Sequence, residues 1–113
     1  GKPLRGSKVL GIGVTYKQDV NDVRESPALI VLERLRADGA KVEYHDPSVP
    51  WLELAGRRLG SKVLTPERLA AQDVVVVLTA HSSVDFAEVV RHAPLVVDTR
   101  GVTRGRHPNV VRL

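Results

Sequence analysis

Lys17 and Arg24 stand among Asp19, Asp22 and Glu25 in the stretch Tyr16-Lys17-Gln18-Asp19-Val20-Asn21-Asp22-Val23-Arg24-Glu25-Ser26-Pro27. These twelve residues join a strand-like segment to a helix start, a junction that ordinarily takes about two to six. The surplus length suggests a functional loop. An ammonium and a guanidinium at a helix entry suit a ligand carrying phosphate or carboxylate. The same charges could equally pair with one another on a solvated loop, and spacing alone does not separate the two.

A second cationic group lies at the other end of the sequence. Residues 100–113 hold Arg100, Arg104, Arg106 and Arg112 without an acid, while the other thirteen basic side chains are balanced by thirteen acidic ones. The whole net charge of +4 therefore sits in this tail. Such a cluster suits a small anion or an acidic partner surface. Nucleic acid is not expected, because stacking platforms are scarce: the aromatics are Tyr16, Tyr44, Trp51 and Phe86.

Other residues invite chemistry less strongly. Gly11-Ile12-Gly13 begins a dinucleotide-binding fingerprint, but its third glycine would fall on Tyr16, whose ring obstructs the approach of a pyrophosphate. Asp46 supplies an acid after the second strand. The favoured reading is that the glycines let strand 1 turn tightly under packed neighbours. His81, just past a valine-rich strand, reads as a residue ordering a loop sooner than as an acid or base. Asp46, before Pro47, reads as a turn residue sooner than as a ribose ligand. His45, His92 and His107 are too dispersed for a metal site, and Trp51 reads as a core or interface anchor. Without cysteine, the chain has neither disulfide nor thiol nucleophile.

The elements that must position these groups follow from periodicity. Lys8 to Thr15 reads as a buried first strand. Ser26-Pro27 starts a helix, with Ser as cap and Pro at the first position. Ala28, Val31, Leu32 and Leu35 form its apolar stripe, and Gly39 ends it. Lys41 to His45 is a second strand. Trp51, Leu52, Leu54 and Ala55 suggest a short helix, followed by a basic turn between Gly56 and Gly60. Thr65-Pro66 opens a helix ending near Gln72. Val74 to Leu78 is a strand buried on both faces. Ser82 or Ser83 caps a helix bearing Phe86, Val89, Val90 and Ala93. Leu95-Val96-Val97 is the next strand, and Val110-Val111 a short edge strand. The alternation predicts α/β architecture: a small doubly wound, mainly parallel sheet with helices on both faces, a Rossmann-like three-layer sandwich. Ligands of such folds bind beyond the carboxyl ends of the strands, here 15–26, 46–50, 79–83 and 98–104.

With these motifs in order, the chain resembles the C-terminal domain of the UDP-glucose/GDP-mannose dehydrogenases. The resemblance rests on Gly13-Val14-Thr15-Tyr16-Lys17 through Asp22-Val23-Arg24-Glu25-Ser26-Pro27-Ala28. It continues through Tyr44-His45-Asp46-Pro47, Leu78-Thr79-Ala80-His81 and Val96-Val97-Asp98-Thr99-Arg100. It implies that residues 1–113 are one UDP-sugar-binding domain of a longer dehydrogenase, with 1–7 as connector. Gly1 and the lack of Met fit an excised piece. It further implies that Lys17 contacts the nucleotide-sugar substrate with Tyr16 beside it, and that Arg100 contacts substrate. Arg24 would reach NAD held mainly by an N-terminal domain of the same polypeptide.

The family reaction is oxidation of the sugar C6 alcohol to a carboxylate, with two NAD reduced and a cysteine capturing the aldehyde. That cysteine is implied to lie outside these residues. Tyr-Lys, Arg-Glu-Ser-Pro-Ala-Leu and Asp-Thr-Arg look closest to the UDP-N-acetyl-hexosamine 6-dehydrogenases. A homo-oligomer is implied at full length. A stand-alone nucleotide-sensing or interaction module remains the alternative. Neither a secretory pattern nor a run of about twenty apolar residues is present, so the expected setting is cytoplasmic with no membrane partner.

Overall fold

The computed structural model describes residues 5–15 and 26–113. The central sheet is built from β1 (Lys8–Ile12), β2 (Lys41–His45), β5 (Val74–Val77), β6 (Val96–Asp98) and β7 (Val110–Arg112). Its order is β2-β1-β5-β6-β7, and every neighbouring pair is parallel. The helices are α1 (Pro27–Ala37), α2 (Pro66–Ala70) and α3 (Phe86–His92). The doubly wound α/β expectation holds.

Side chains alternate across the pleat, and the core divides accordingly. Leu10 and Ile12 of β1 and Val75 and Val77 of β5 pack with Leu69 of α2 and Val89 of α3. On the opposite face Val14, Tyr44 and Leu78 meet Ala28 and Leu32 of α1. Gly11 belongs to that second face: a Cβ there would come within 2.8 Å of a Leu32 methyl. The glycine is what lets α1 lie close to the sheet.

Several local expectations need correction. The stretch from Trp51 is a β-hairpin, β3 (Trp51–Leu54) antiparallel to β4 (Arg57–Gly60), and not a helix. Leu52 and Leu54 are buried while Trp51 and Glu53 face out, the period of a strand. Ala55 and Gly56 make the turn, both with positive φ (52° and 77°), as a tight two-residue hairpin requires. Trp51 is exposed, with the Arg58 guanidinium 4.1 Å from its ring centre, so it is no core residue. In α1, Ala28 and Leu32 are buried, but Val31 is exposed and Leu35 half-buried. Ser26 holds the N-cap position without a side-chain bond.

Asp85, not Ser82 or Ser83, caps α3, its carboxylate accepting from the Glu88 N–H at 3.2 Å. Thr65 caps α2 through the Arg68 N–H at 3.1 Å, and Gly39 closes α1 at φ 100°. In β5, Val75 and Val77 are fully buried, but Val74 and Val76 are only half-buried. Among the described residues, no helix is long and apolar enough to cross a membrane.

Candidate functional site

From β1 the chain passes through α1 to β2 on one side, then returns to β5 on the other side of β1. Strand order therefore reverses between β1 and β5, and a doubly wound sheet offers its ligand crevice beyond the carboxyl ends at such a point. Here those ends are tied together. Ile12 carbonyl oxygen accepts from Leu78 N–H at 2.9 Å and from Thr79 N–H at 3.1 Å, while Gly13 N–H donates to His45 carbonyl at 2.8 Å. Gly13 has φ 85°, and a Cβ there would lie 2.5 Å from both the Cβ and the carbonyl oxygen of Thr79. Only glycine fits.

Beneath this junction Asp46 is buried with its carboxylate engaged. Oδ2 accepts from Val14 N–H at 2.8 Å and sits 2.9 Å from His81 Nε2, and Oδ1 accepts from Ser48 N–H at 2.8 Å. His81 is fully buried, and its Nε2 also lies 3.1 Å from Thr15 Oγ1. Thr79 hydroxyl donates to Thr15 carbonyl at 2.9 Å. The ends of β1, β2 and β5 thus share one buried polar network, which positions Thr15, the residue before Tyr16. This gives Asp46 and His81 the ordering roles their sequence contexts favoured.

Asp98, at the end of β6, makes a second hub. Its Oδ1 accepts from Arg100 and Gly101 N–H at 2.9 and 2.8 Å, and its Oδ2 from the Thr103 N–H and hydroxyl at 2.9 and 2.6 Å. Burial pushes this carboxyl upward, but the Thr103, Arg100 and Gly101 donors outweigh it and hold its pKa below the ordinary value of 3.8. Tyr44, buried on β2 beside Asp46, donates its hydroxyl to Val49 carbonyl at 2.8 Å. Burial, reinforced by the Asp46 charge, pushes that phenol up to about 12.

Of the residues singled out for ligand contact, Tyr16, Lys17 and Arg24 lie outside the described residues. Arg100 lies at the reversal point. Its Nε donates to Leu78 carbonyl at 2.9 Å, and it does not pair with Asp98, whose carboxylate takes the Arg100 backbone N–H instead. Arg112 bonds the carbonyls of Thr103 and Gly105, holding the 99–109 loop, and Arg104 and Arg106 are exposed. Thr103 escaped the sequence reading. Its signal was a hydroxyl residue closing a turn that begins at an aspartate, a local arrangement such side chains favour. Among the described residues, no group of His, Asp or Glu is placed to hold a metal.

The first turn does not fit a dinucleotide. Gly13 spends its bare face on Thr79 and Gly11 on Leu32, so neither leaves backbone open to a pyrophosphate.

A sequence model of the UDP-glucose/GDP-mannose dehydrogenase family, UDP binding domain, matches residues 10–105. The chain belongs to this family. UDP-glucose 6-dehydrogenase of Rhizobium meliloti is 32% identical over 112 residues, covering 92% of this chain and 25% of that protein. UDP-N-acetyl-D-mannosamine dehydrogenase of Campylobacter jejuni is 35% identical over 92 residues, covering 78% of this chain and 22% of its own. The solved structure of an NDP-N-acetyl-D-galactosaminuronic acid dehydrogenase from Methanosarcina mazei superposes with TM-score 0.77 at 26% identity, over 100% of this chain and 25% of that one. The chain thus spans about a quarter of the length of the relatives it matches. It is the UDP binding domain of this dehydrogenase family.

Proposed function

We propose that this domain holds the diphosphate of a UDP-sugar between Lys17 and Arg100, with Tyr16 beside Lys17, as part of an NAD-dependent nucleotide-sugar 6-dehydrogenase. One observation carries the reading. Arg100 is bonded to Leu78, the neighbouring Thr79 is bonded to Thr15, and Thr15 directly precedes Tyr16-Lys17. The two cationic segments therefore start from one bonded junction. Fixed guanidinium and ammonium groups form charge-assisted bonds to a diphosphate, and a guanidinium anchored through Nε keeps its planar fork aimed.

In this reading the whole enzyme oxidises the sugar's C6 alcohol to a carboxylate. NAD is bound mainly by an N-terminal domain of the same polypeptide, toward which Arg24 reaches. The closed first turn supports that division of labour. The motifs around Lys17, Arg24 and Arg100 favour a UDP-N-acetyl-hexosamine as substrate. A cytoplasmic setting and a homo-oligomer of the full-length protein belong to the same reading.

Calorimetric titration of the 113-residue chain with UDP tests the grip. Saturable binding that weakens in both Lys17→Ala and Arg100→Ala supports it. Binding indifferent to both substitutions, or none at millimolar UDP, overturns it. The same chain with UDP-sugar and NAD should produce no NADH, and measurable turnover would overturn the division of labour.

A further inference from the structure

A concavity of about 700 Å³ opens along the outer edge of β2. One wall is α2, on one face of the sheet, and the other is the end of α1 with the β3–β4 hairpin, on the opposite face. Backbone direction fixes what β2 offers between them. Lys41 N–H donates to Ser7 carbonyl at 2.7 Å, and His45 carbonyl accepts from Gly13 N–H at 2.8 Å. The odd residues of β2 thus spend their backbone groups on β1, and the even ones turn theirs outward. Tyr44 carbonyl is met there by Lys62 N–H at 2.8 Å. Val42 lines the cavity, half-buried, on a side where β2 has no strand partner. An edge left in this way is a template for another strand.

Charge is an independent observation, and it is one-sided. Lys8 and Lys41 at the strand starts, Arg68 on α2, and Arg36 and Arg57 on the opposite wall stand against two acids, Glu43 and Glu67. Glu43 is already committed, 3.2 Å from Arg68 Nη1 and accepting from Gln72 Nε2 at 3.1 Å. Lys8, Lys41 and Arg57 form no salt bridge among the described residues. A lysine beside a strand edge commonly guards against unwanted pairing, but a guard needs no matching cations on the flanking helix and hairpin. The combined field attracts an acidic partner and turns away a second copy of the same edge.

We propose that the outer edge of β2 takes up an extended acidic segment of a partner protein as an added strand. Only one residue of the edge is open, so the docking is antiparallel: that geometry alone lets a single incoming residue exchange both backbone bonds with Val42. The side chain of this central residue shares the face of Val42, which packs with Leu59 of the hairpin, and an apolar group suits it. Its two neighbours project to the other face, that of Lys41 and Glu43, where acids meet Lys8, Lys41 and Arg68. Backbone pairing supplies the affinity and the alternate side chains the specificity, as in other strand-addition complexes.

Amide spectra of the ¹⁵N-labelled chain test this, with the blocked peptide acetyl-Thr-Glu-Val-Glu-Thr-amide as probe. It should saturably shift Val42, Glu43 and Leu59, slow hydrogen exchange at the Val42 N–H, and leave Gly13, Thr79 and Arg100 in place. Replacing the central Val of the peptide by Pro removes the donated backbone bond and should weaken binding about tenfold. Replacing both Glu by Lys should abolish it. The double variant Lys41→Glu, Arg57→Glu changes two exposed side chains and should lose binding at an unchanged urea midpoint. The proposal is overturned if millimolar peptide gives no saturable shift, or if the Pro or Lys peptide binds as tightly as the parent. Wild-type affinity in the double variant overturns it too, as does free glutamate that shifts the same amides with equal affinity, the mark of a site for small anions.

Discussion

Asp46 and Asp98 occupy equivalent places, one at the end of β2 and the other at the end of β6, and both close a turn by accepting the N–H two residues on. They differ in where the rest of the carboxylate goes. Asp46 reaches across the sheet to Val14 and to His81, 35 residues away. Asp98 stays within its own loop, taking Gly101 and Thr103. The first arrangement locks strand ends to one another, and the second shapes a loop that presents Arg100. The same residue type at the same topological position thus ties strands together on one side of the sheet and shapes a single loop on the other.

The contrast breaks most sharply at Asp46. Asp46→Ala leaves His81 and the Val14 N–H buried without their acceptor and should cost about 3–5 kcal/mol, read as a lower urea midpoint at unchanged slope. Asp98→Ala should cost less, about 2 kcal/mol, because its donors lie in one surface loop nearer to water, yet it should weaken UDP binding as Arg100→Ala does. If Asp98→Ala destabilises as much as Asp46→Ala while UDP affinity is untouched, the division fails. Arg100→Ala should leave the midpoint within about 0.5 kcal/mol of wild type and weaken UDP binding about tenfold.

The two strands also differ in their response to pH. The folded-state pKa of Asp98 is lowered, so its stabilising contribution is complete above the ordinary value of 3.8 and is lost as pH falls through the depressed one. Urea midpoints of wild type and Asp98→Asn should therefore converge at the acid end. Tyr44 on β2 has its pKa raised from 10.0 to about 12. Its contribution is complete below pH 10 and is lost as pH climbs toward 12, so Tyr44→Phe should flatten the alkaline limb alone. The smallest effect is expected away from both hubs. Ala55→Gly relieves a left-handed alanine and should raise stability by at most about 1 kcal/mol.

The sheet was legible because β1, β5 and β6 are short apolar runs, β2 alternates apolar and polar residues, and Ser-Pro or Thr-Pro marks two of the helix starts. The hairpin was missed for a physical reason. Its turn uses Ala55 at φ 52°, a residue that seldom adopts that conformation, in place of the Asn-Gly or Asp-Gly pair that announces such a turn. The alternation of Leu52 and Leu54 with Trp51 and Glu53 was the available clue. The place of Arg100 just past a core strand was legible from the Val96-Val97-Asp98 run before it. The Asp46–His81–Thr15 network was not, since its members are brought together only by the pairing of β1 with both β2 and β5. Two of the short motifs carrying the family resemblance, Tyr44-His45-Asp46-Pro47 and Leu78-Thr79-Ala80-His81, are the halves of that network. Charge counts alone could not show that Arg112 is spent on the carbonyls of Thr103 and Gly105.

The fit of Gly13 against Thr79 sets a limit on how this scaffold can diversify. With no room for even a methyl between the two strand ends, the crevice floor is shut and cannot be deepened to accommodate a bulkier guest. Variation in what is recognised must be written in the segments that rise above the floor. Loops transplanted between relatives at 99–109 should therefore exchange ligand preference while the sheet beneath keeps its register.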